Sequence, residues 1–183
     1  MDTLRILFSH ICGQQHLWTL GGITLPFCQR CTGLYVGAFL AVAIIAILRP
    51  RPDAWVYWLH GSFMLLMFPF GFHLLPHGGL VRTFTGTLFA FGLVYFLLLN
   101  PVTAWLHRDR NWSPVLLRYF LSIGLAAGAI LIAVSYGAAT LGRLLTALGL
   151  VGFACLALLI VANLIVLPSI IRSLLHRPAS LIQ

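Results

Sequence analysis

Three of the four cysteines, Cys12, Cys28 and Cys31, lie near the N-terminus, with His10 and His16 on either side of the first. The pattern reads His10-x-Cys12-x3-His16 and then, with fifteen residues between Cys12 and Cys28, Cys28-Gln29-Arg30-Cys31. A Cys-x-x-Cys turn directs two thiolates at one centre, and a third cysteine with a histidine completes a tetrahedral zinc set. Gly13, Gly21, Gly22 and Pro26 make the intervening stretch turn-rich, so it can fold back on itself. The candidate metal ligands are therefore Cys12, Cys28 and Cys31, with His10 or His16 as the fourth. The plainer reading is three reduced thiols filling apolar space where the chain enters a membrane. Redox chemistry is the third: Arg30 between the two thiols of the Cys-x-x-Cys favours thiolates and disulfide exchange. A thiol relay generally uses a second pair, however, and only Cys12 remains nearby. Cys155 sits in the middle of an apolar run, about 18 Å from either end by helical rise, and reads as a small buried residue.

The segment from His60 to His77 holds the other candidates. His60, Met64 and Met67 share a helical face, a soft ligand set for copper that is more often simple core packing. His60 and His73 are thirteen residues apart, about 20 Å along a helix, too far to share one metal ion. Stacked haems would need a partner histidine on another span at each depth. The remaining histidines lie in loops or tails, so the sequence argues against haem and copper alike. Pro69 and Gly71 loosen the outer end of this segment. His73, His77 and Arg82 then emerge on the same side as the three cysteines, so that two distant segments converge on one pocket. His73 and Arg82 are the candidate cofactor-binding residues there, Arg82 as a ligand for an anion or a quinone oxygen. The alternative for Arg82 is an interfacial arginine reaching toward lipid phosphates.

The elements that must position these residues follow from composition. Of 183 residues, 61% are hydrophobic and only 8% charged, with a mean hydropathy of +1.01. Soluble domains carry about a quarter charged residues, so no water-facing surface can be built from this chain. All eleven basic charges are arginines, and the acidic residues are Asp2, Asp53 and Asp109 alone. No carboxylate lies within an apolar run, which excludes paired-carboxylate catalysis and a pump-type proton relay. The net charge of +8 is spread over every loop rather than clustered, which argues against nucleic acid as a partner and for the lipid bilayer.

Five apolar runs are long enough to cross a bilayer as helices: 31–48, 54 to about 75, about 83–100, 115–136 and 144–167. The expected fold is all-α, a polytopic transmembrane bundle of about five spans. Residues 1–30 form a turn-rich Cys/His segment at the membrane face, and residues 31–183 form a single bundle. Ile6-Leu7-Phe8 is too short for the core of a signal peptide. Arginines divide seven to four between the two sides: Arg49, Arg51, Arg108, Arg110, Arg118, Arg172 and Arg177 against Arg5, Arg30, Arg82 and Arg143. The positive-inside rule thus puts the C-terminus in the cytoplasm and the N-terminus outside, in a bacterial inner membrane. Trp55, Tyr57, Trp58, Trp105 and Trp112 fall at the inner boundary, where amphipathic rings favour the headgroup level. Gly33/Gly37 and Gly124/Gly128 have the spacing of close helix contacts.

The stretch Cys12-Gly13-Gln14, followed by Leu25-Pro26-Phe27-Cys28-Gln29-Arg30-Cys31-Thr32-Gly33-Leu34-Tyr35-Val36-Gly37, resembles the signature of a bacterial membrane-protein family known as domain of unknown function 2085. Arg82-Thr83-Phe84-Thr85-Gly86 resembles its later Arg-x-x-Thr-Gly element. Gly13 stands where the family usually has histidine, so a histidine ligand here would be His10 or His16. The resemblance implies a small multi-pass membrane protein and no particular activity. Together these features describe a membrane protein with an outer-face Cys/His site, zinc in the first instance, structural or redox-linked. Two alternatives remain open: an accessory subunit of a larger membrane complex, and a thiol–disulfide or quinone-linked oxidoreductase.

Overall fold

The computed structural model describes residues 2–12, 16–50, 54–71, 74, 76–105 and 115–175. It is a helical bundle in which α1 (Asp2–Cys12) and a two-stranded hairpin, β1 (Leu17–Leu20) and β2 (Ile23–Cys28), precede the long helices. These are α2 (Gln29–Leu48), α5 (Gly79–Trp105), α6 (Val115–Tyr136) and α7 (Ala139–Leu175), with the shorter α3 (Ala54–Leu65) and α4 (Met67–Gly71) between α2 and α5. All four long helices are long and apolar enough to cross a membrane.

Two features depart from the sequence expectation. The N-terminal segment is not merely turn-rich: it holds a helix and an antiparallel hairpin. Gly21 and Gly22 both take positive φ, 53° and 80°, the backbone a tight two-residue hairpin turn requires. The second apolar run, expected as one span, divides into α3 and α4. Pro69 accounts for this. It has no N–H for the Leu65 carbonyl, and its ring crowds that carbonyl, so the helix is interrupted at Leu66. The Leu66 N–H still bonds the Ser62 carbonyl at 2.9 Å, keeping the two pieces in train.

The centre of the bundle is the pair α2 and α5. Gln29 lies against Gly79, Gly33 against Thr83, and Gly37 against Thr87 and Ala90. The partners advance together, so the two helices run parallel, and α3 and α4 supply the return pass. A methyl group added at Gly33 would run into the Thr83 carbonyl, and one at Gly86 into that of Arg30. Such small-residue contacts let backbones approach where lipid offers no hydrophobic drive to associate. Further along, Ala38, Ala41 and Ile45 of α2 meet Leu88, Phe91, Val94 and Tyr95 of α5, with Val56, Tyr119 and Ile123 closing the core. Thr83, Thr85 and Thr87 are buried on α5. Each returns its hydroxyl to the carbonyl four residues earlier, at 2.8–3.0 Å, so no polar atom is stranded. Gly124 and Gly128, by contrast, have no neighbour within 4 Å of an added methyl and make no close helix contact within the chain.

The difference between these glycines is testable. Gly33→Ala should lower stability by about 2 kcal/mol or more, because backbone rather than a flexible side chain must give way. Gly124→Ala should stay within about 0.5 kcal/mol of wild type or gain slightly from helix propensity. Unfolding in mixed detergent micelles, followed by circular dichroism, measures both.

Candidate metal centre

Each of the three N-terminal thiols owes its place to a different element. Cys12 ends α1, and Phe8 lies one turn before it on the same face. Phe8 is buried against Phe27, Tyr35 and Phe153, with ring centroids 4.6, 5.7 and 5.2 Å away. Phe27–Tyr35 and Tyr35–Phe153 close this aromatic box at 5.2 and 5.3 Å. Offset and edge-on ring pairs of this kind contribute about 0.5–1.5 kcal/mol each beyond their buried area. The box ties α1 to β2, α2 and α7 and so fixes where Cys12 falls.

Cys28 is the last residue of β2 and the N-cap of α2, with extended backbone (φ −64°, ψ 161°) and its Sγ accepting from the Cys31 N–H at 3.4 Å. The hairpin sets its register: Leu17 pairs with Cys28, and the Gln29 N–H donates to the His16 carbonyl at 2.8 Å. Cys31 sits in the first turn of α2, and Tyr35 of the aromatic box follows it by one turn. Two of the thiols are thus each one helical turn from a ring of the same box.

The three Sγ atoms lie within 4.8 Å of one another, and Cys12 Sγ is 2.8 Å from Cys31 Sγ. All three cysteines are free, Cys28 buried and the other two half-buried. Hydrogen bonds from the Cys12 and Cys31 thiols hold Cys28 well below the ordinary thiol range, with the backbone N–H groups of Cys31 and Arg30 adding to the effect. Cys12, donating to Cys28 and partly buried, is pushed up. A thiolate at the first turn of a helix is further favoured by the helix dipole. The cluster can hold one metal ion: its donors are soft, preformed and include a thiolate. Tetrahedral zinc, with Zn–S of about 2.3 Å, would set the sulfurs about 3.8 Å apart, so Cys12 and Cys31 would open by about 1 Å.

A cavity of about 290 Å³ opens beside the cluster, lined by Arg5, Phe8, Ser9, Cys12, Leu17, Pro26 and Cys28. His10 and His16 do not join the thiols: both side chains are exposed, and the cluster comprises the cysteines alone. His73 lies outside the described residues. Arg82 is half-buried in the first turn of α5, and His77 packs edge-on against Phe70 at 5.5 Å. The convergence of the two segments is present. Arg30 donates from Nη2 to the Phe70 carbonyl at 2.7 Å, Thr83 Oγ1 to the Gln29 carbonyl at 3.0 Å, and Trp18 Nε1 to Thr83 Oγ1 at 2.9 Å. The start of α2, the end of α4 and the start of α5 therefore share one end of the bundle with the thiols.

His60 is elsewhere, buried in the core. Its Nδ1 meets the Val56 carbonyl and its Nε2 the Tyr119 hydroxyl, each at 2.7 Å. A carbonyl can only accept, so Nδ1 carries the proton and Nε2 accepts from Tyr119. The ring stacks on Tyr95 at 4.1 Å. Both nitrogens are engaged, so the His60–Met64–Met67 stripe is core packing in this structure. Trp18, Thr83 and the aromatic box went unread in the sequence. The spacings Phe8–Cys12 and Cys31–Tyr35 were the available signal.

The family described as predicted membrane protein (DUF2085) matches residues 12–96 of the chain, which include all three cysteines and Arg82. This agrees with the resemblance carried by the Cys28–Gly37 block. No curated protein and no solved structure matches the chain. The chain is a membrane protein with several apolar spans and a cysteine cluster able to hold a metal ion.

The electrostatics give a direct readout. Metal-free protein should carry about one thiolate per chain at neutral pH, seen by ultraviolet absorbance. It should persist well below the ordinary cysteine pKa of about 8.5. Cys28→Ser should abolish that low-pH thiolate, whereas Cys155→Ser should leave it unchanged.

Proposed function

We propose that this chain is a small integral protein of the bacterial inner membrane that binds zinc at its outer face through the thiolates of Cys12, Cys28 and Cys31. The observation that carries this reading is the convergence of three sulfurs from three separate elements within 4.8 Å. Zinc is favoured over harder cations because all the donors are sulfur. Residues 1–30 act as a cap that the ion ties to the bundle of residues 31–183. Closed structural zinc sites have four protein ligands, whereas sites that keep an open position have three. With His10 and His16 exposed, the fourth position falls to a solvent or exogenous donor in the cavity that Cys12 and Cys28 line. That favours a site that exchanges a ligand over a purely structural one. Arg82, in the first turn of α5 at the same end of the bundle, and His73, which lies outside the described residues, are the proposed residues of an adjacent pocket. The arginine asymmetry supports an outside N-terminus and a cytoplasmic C-terminus.

A second reading has one observation in its favour. Cys12 and Cys31 are the pair in contact, at 2.8 Å, so a redox role would run through a Cys12–Cys31 disulfide rather than one within the Cys-x-x-Cys. Its formation would deliver two electrons and two protons to an acceptor of the quinone class.

Metal analysis with free-thiol counting on detergent-purified protein separates the two. The expected result is about one zinc per chain, lost in Cys28→Ser/Cys31→Ser and retained in His10→Ala and His16→Ala. Absence of metal with a reducible Cys12–Cys31 bridge would replace zinc with the redox reading. Absence of metal with three inert free thiols would overturn both and leave the cluster as packing within a subunit of a larger complex.

A further inference from the structure

Beside the thiol cluster Arg30 is buried and Arg82 half-buried, and neither makes an ion pair among the described residues. Arg30 is 8% exposed and uses a single donor, Nη2, on the Phe70 carbonyl. Its Nε is buried with no acceptor, and the same holds for Nε of Arg82. The geometry brings them together. Gly86 lies against the Arg30 carbonyl, and Arg82 precedes Gly86 by one turn on the same face of α5. A methyl group added at Gly71, the last residue of α4, would stand 3.9 Å from Arg30 Nη1. Both arginines therefore arise from the same crossing of α2 and α5.

Buried like charges with unmet donors are costly unless something opposite lies between them. No ion pair to a carboxylate is made by either arginine among the described residues: of the chain's three acids, Asp2 begins α1 at the opposite end from Cys12, and Asp53 and Asp109 lie outside the described residues. The thiolates balance part of this charge. Three thiolates against a divalent metal leave one negative charge, enough for Arg30 alone. One positive charge and two Nε–H donors stay unmatched. A neutral quinone would supply acceptors but no charge. A tetrahedral oxyanion supplies both, and arginine's planar fork suits it.

We propose that Arg30 and Arg82 together bind a phosphate-type oxyanion at the shared end of α2, α4 and α5, presented either by a phospholipid headgroup or by free phosphate. The arginines enclose it from α2 and α5, beside Gly71 at the end of α4. Arg30 cannot be read as an arginine reaching out to bulk lipid, since its guanidinium is tied inward to Phe70. The site deepens the adjacent pocket of the proposed function by naming its ligand, and its orphaned donors are present with or without a metal.

The test is a melting curve of the full chain in neutral detergent at constant ionic strength, with sodium chloride as the reference. The probes are inorganic phosphate, or mixed micelles of phosphatidylglycerol compared with phosphatidylcholine. Saturating ligand should raise the melting temperature by about 5 °C or more. Arg82→Gln should remove most of that rise, and so should Arg30→Gln where it folds. Arg143→Gln, an exposed arginine, should keep it. A rise with inorganic phosphate identifies a soluble anion, and a rise with phosphatidylglycerol alone identifies a lipid headgroup. No rise with either probe, a rise that survives Arg82→Gln, or one equally lost in Arg143→Gln would overturn the proposal. Zinc content measured on the same samples, and on Cys28→Ser/Cys31→Ser, keeps a failure of the metal reading distinct from a failure of this one.

Discussion

The contact on which the rest depends is backbone against backbone, where α2 and α5 cross at Gly33, Thr83, Gly86 and Arg30. In a bilayer the apolar faces of two helices gain nothing by leaving lipid, so association rests on close packing and on polar atoms with internal partners. Both are present at this crossing. The glycines admit the opposing carbonyls, and Thr83 bonds across to the Gln29 carbonyl. Because the helices run parallel, their N-terminal ends arrive together. The Cys-x-x-Cys and Arg30 at the head of α2 and Arg82 at the head of α5 are neighbours as a direct result. An antiparallel pair would have set them a membrane thickness apart.

Around that crossing the N-terminal segment is fastened at two levels. Trp18 of the hairpin bonds Thr83, so the extended strands are tied to the central pair. Phe8 of α1 enters the aromatic box between α2 and α7. A polar anchor and an apolar one together hold Cys12 over the first turn of α2. This arrangement gathers the three thiols, Arg30 and Arg82 at one end of a chain with few charged residues. His60 lies apart from them in the core, with both ring nitrogens hydrogen-bonded, to Val56 and Tyr119.

Much of this was legible in the residues. Apolar run lengths located the long helices, and α6 matches its expected limits of 115–136. Helical hydropathy is a strong signal because every backbone group in lipid must be satisfied locally. The cysteine spacing pointed to a shared centre, and the alternation of spans put Arg82 on the same side. What failed to show was tertiary. Two glycine pairs of identical spacing look alike in sequence, yet Gly33 and Gly37 are in contact while Gly124 and Gly128 are not. Which pair meets a neighbour depends on helix order. The histidines were misleading for a related reason: proximity in sequence to Cys12 says nothing about which way a helical side chain faces, and His10 is turned outward. The interruption at Leu66 was encoded by Pro69, but a hydropathy average passes over a missing donor.

The aromatic box also bears on the order of assembly. Phe8 leaves the ribosome well before its partner Phe153, which lies on α7. Cys12 therefore gains its fixed position only after α7 has been made and inserted. Until then the Cys-x-x-Cys at the head of α2 stands without its third thiol. A chain that stalls before α7 would thus present an incomplete set of donors, and occupancy of the site would report that α7 has been inserted.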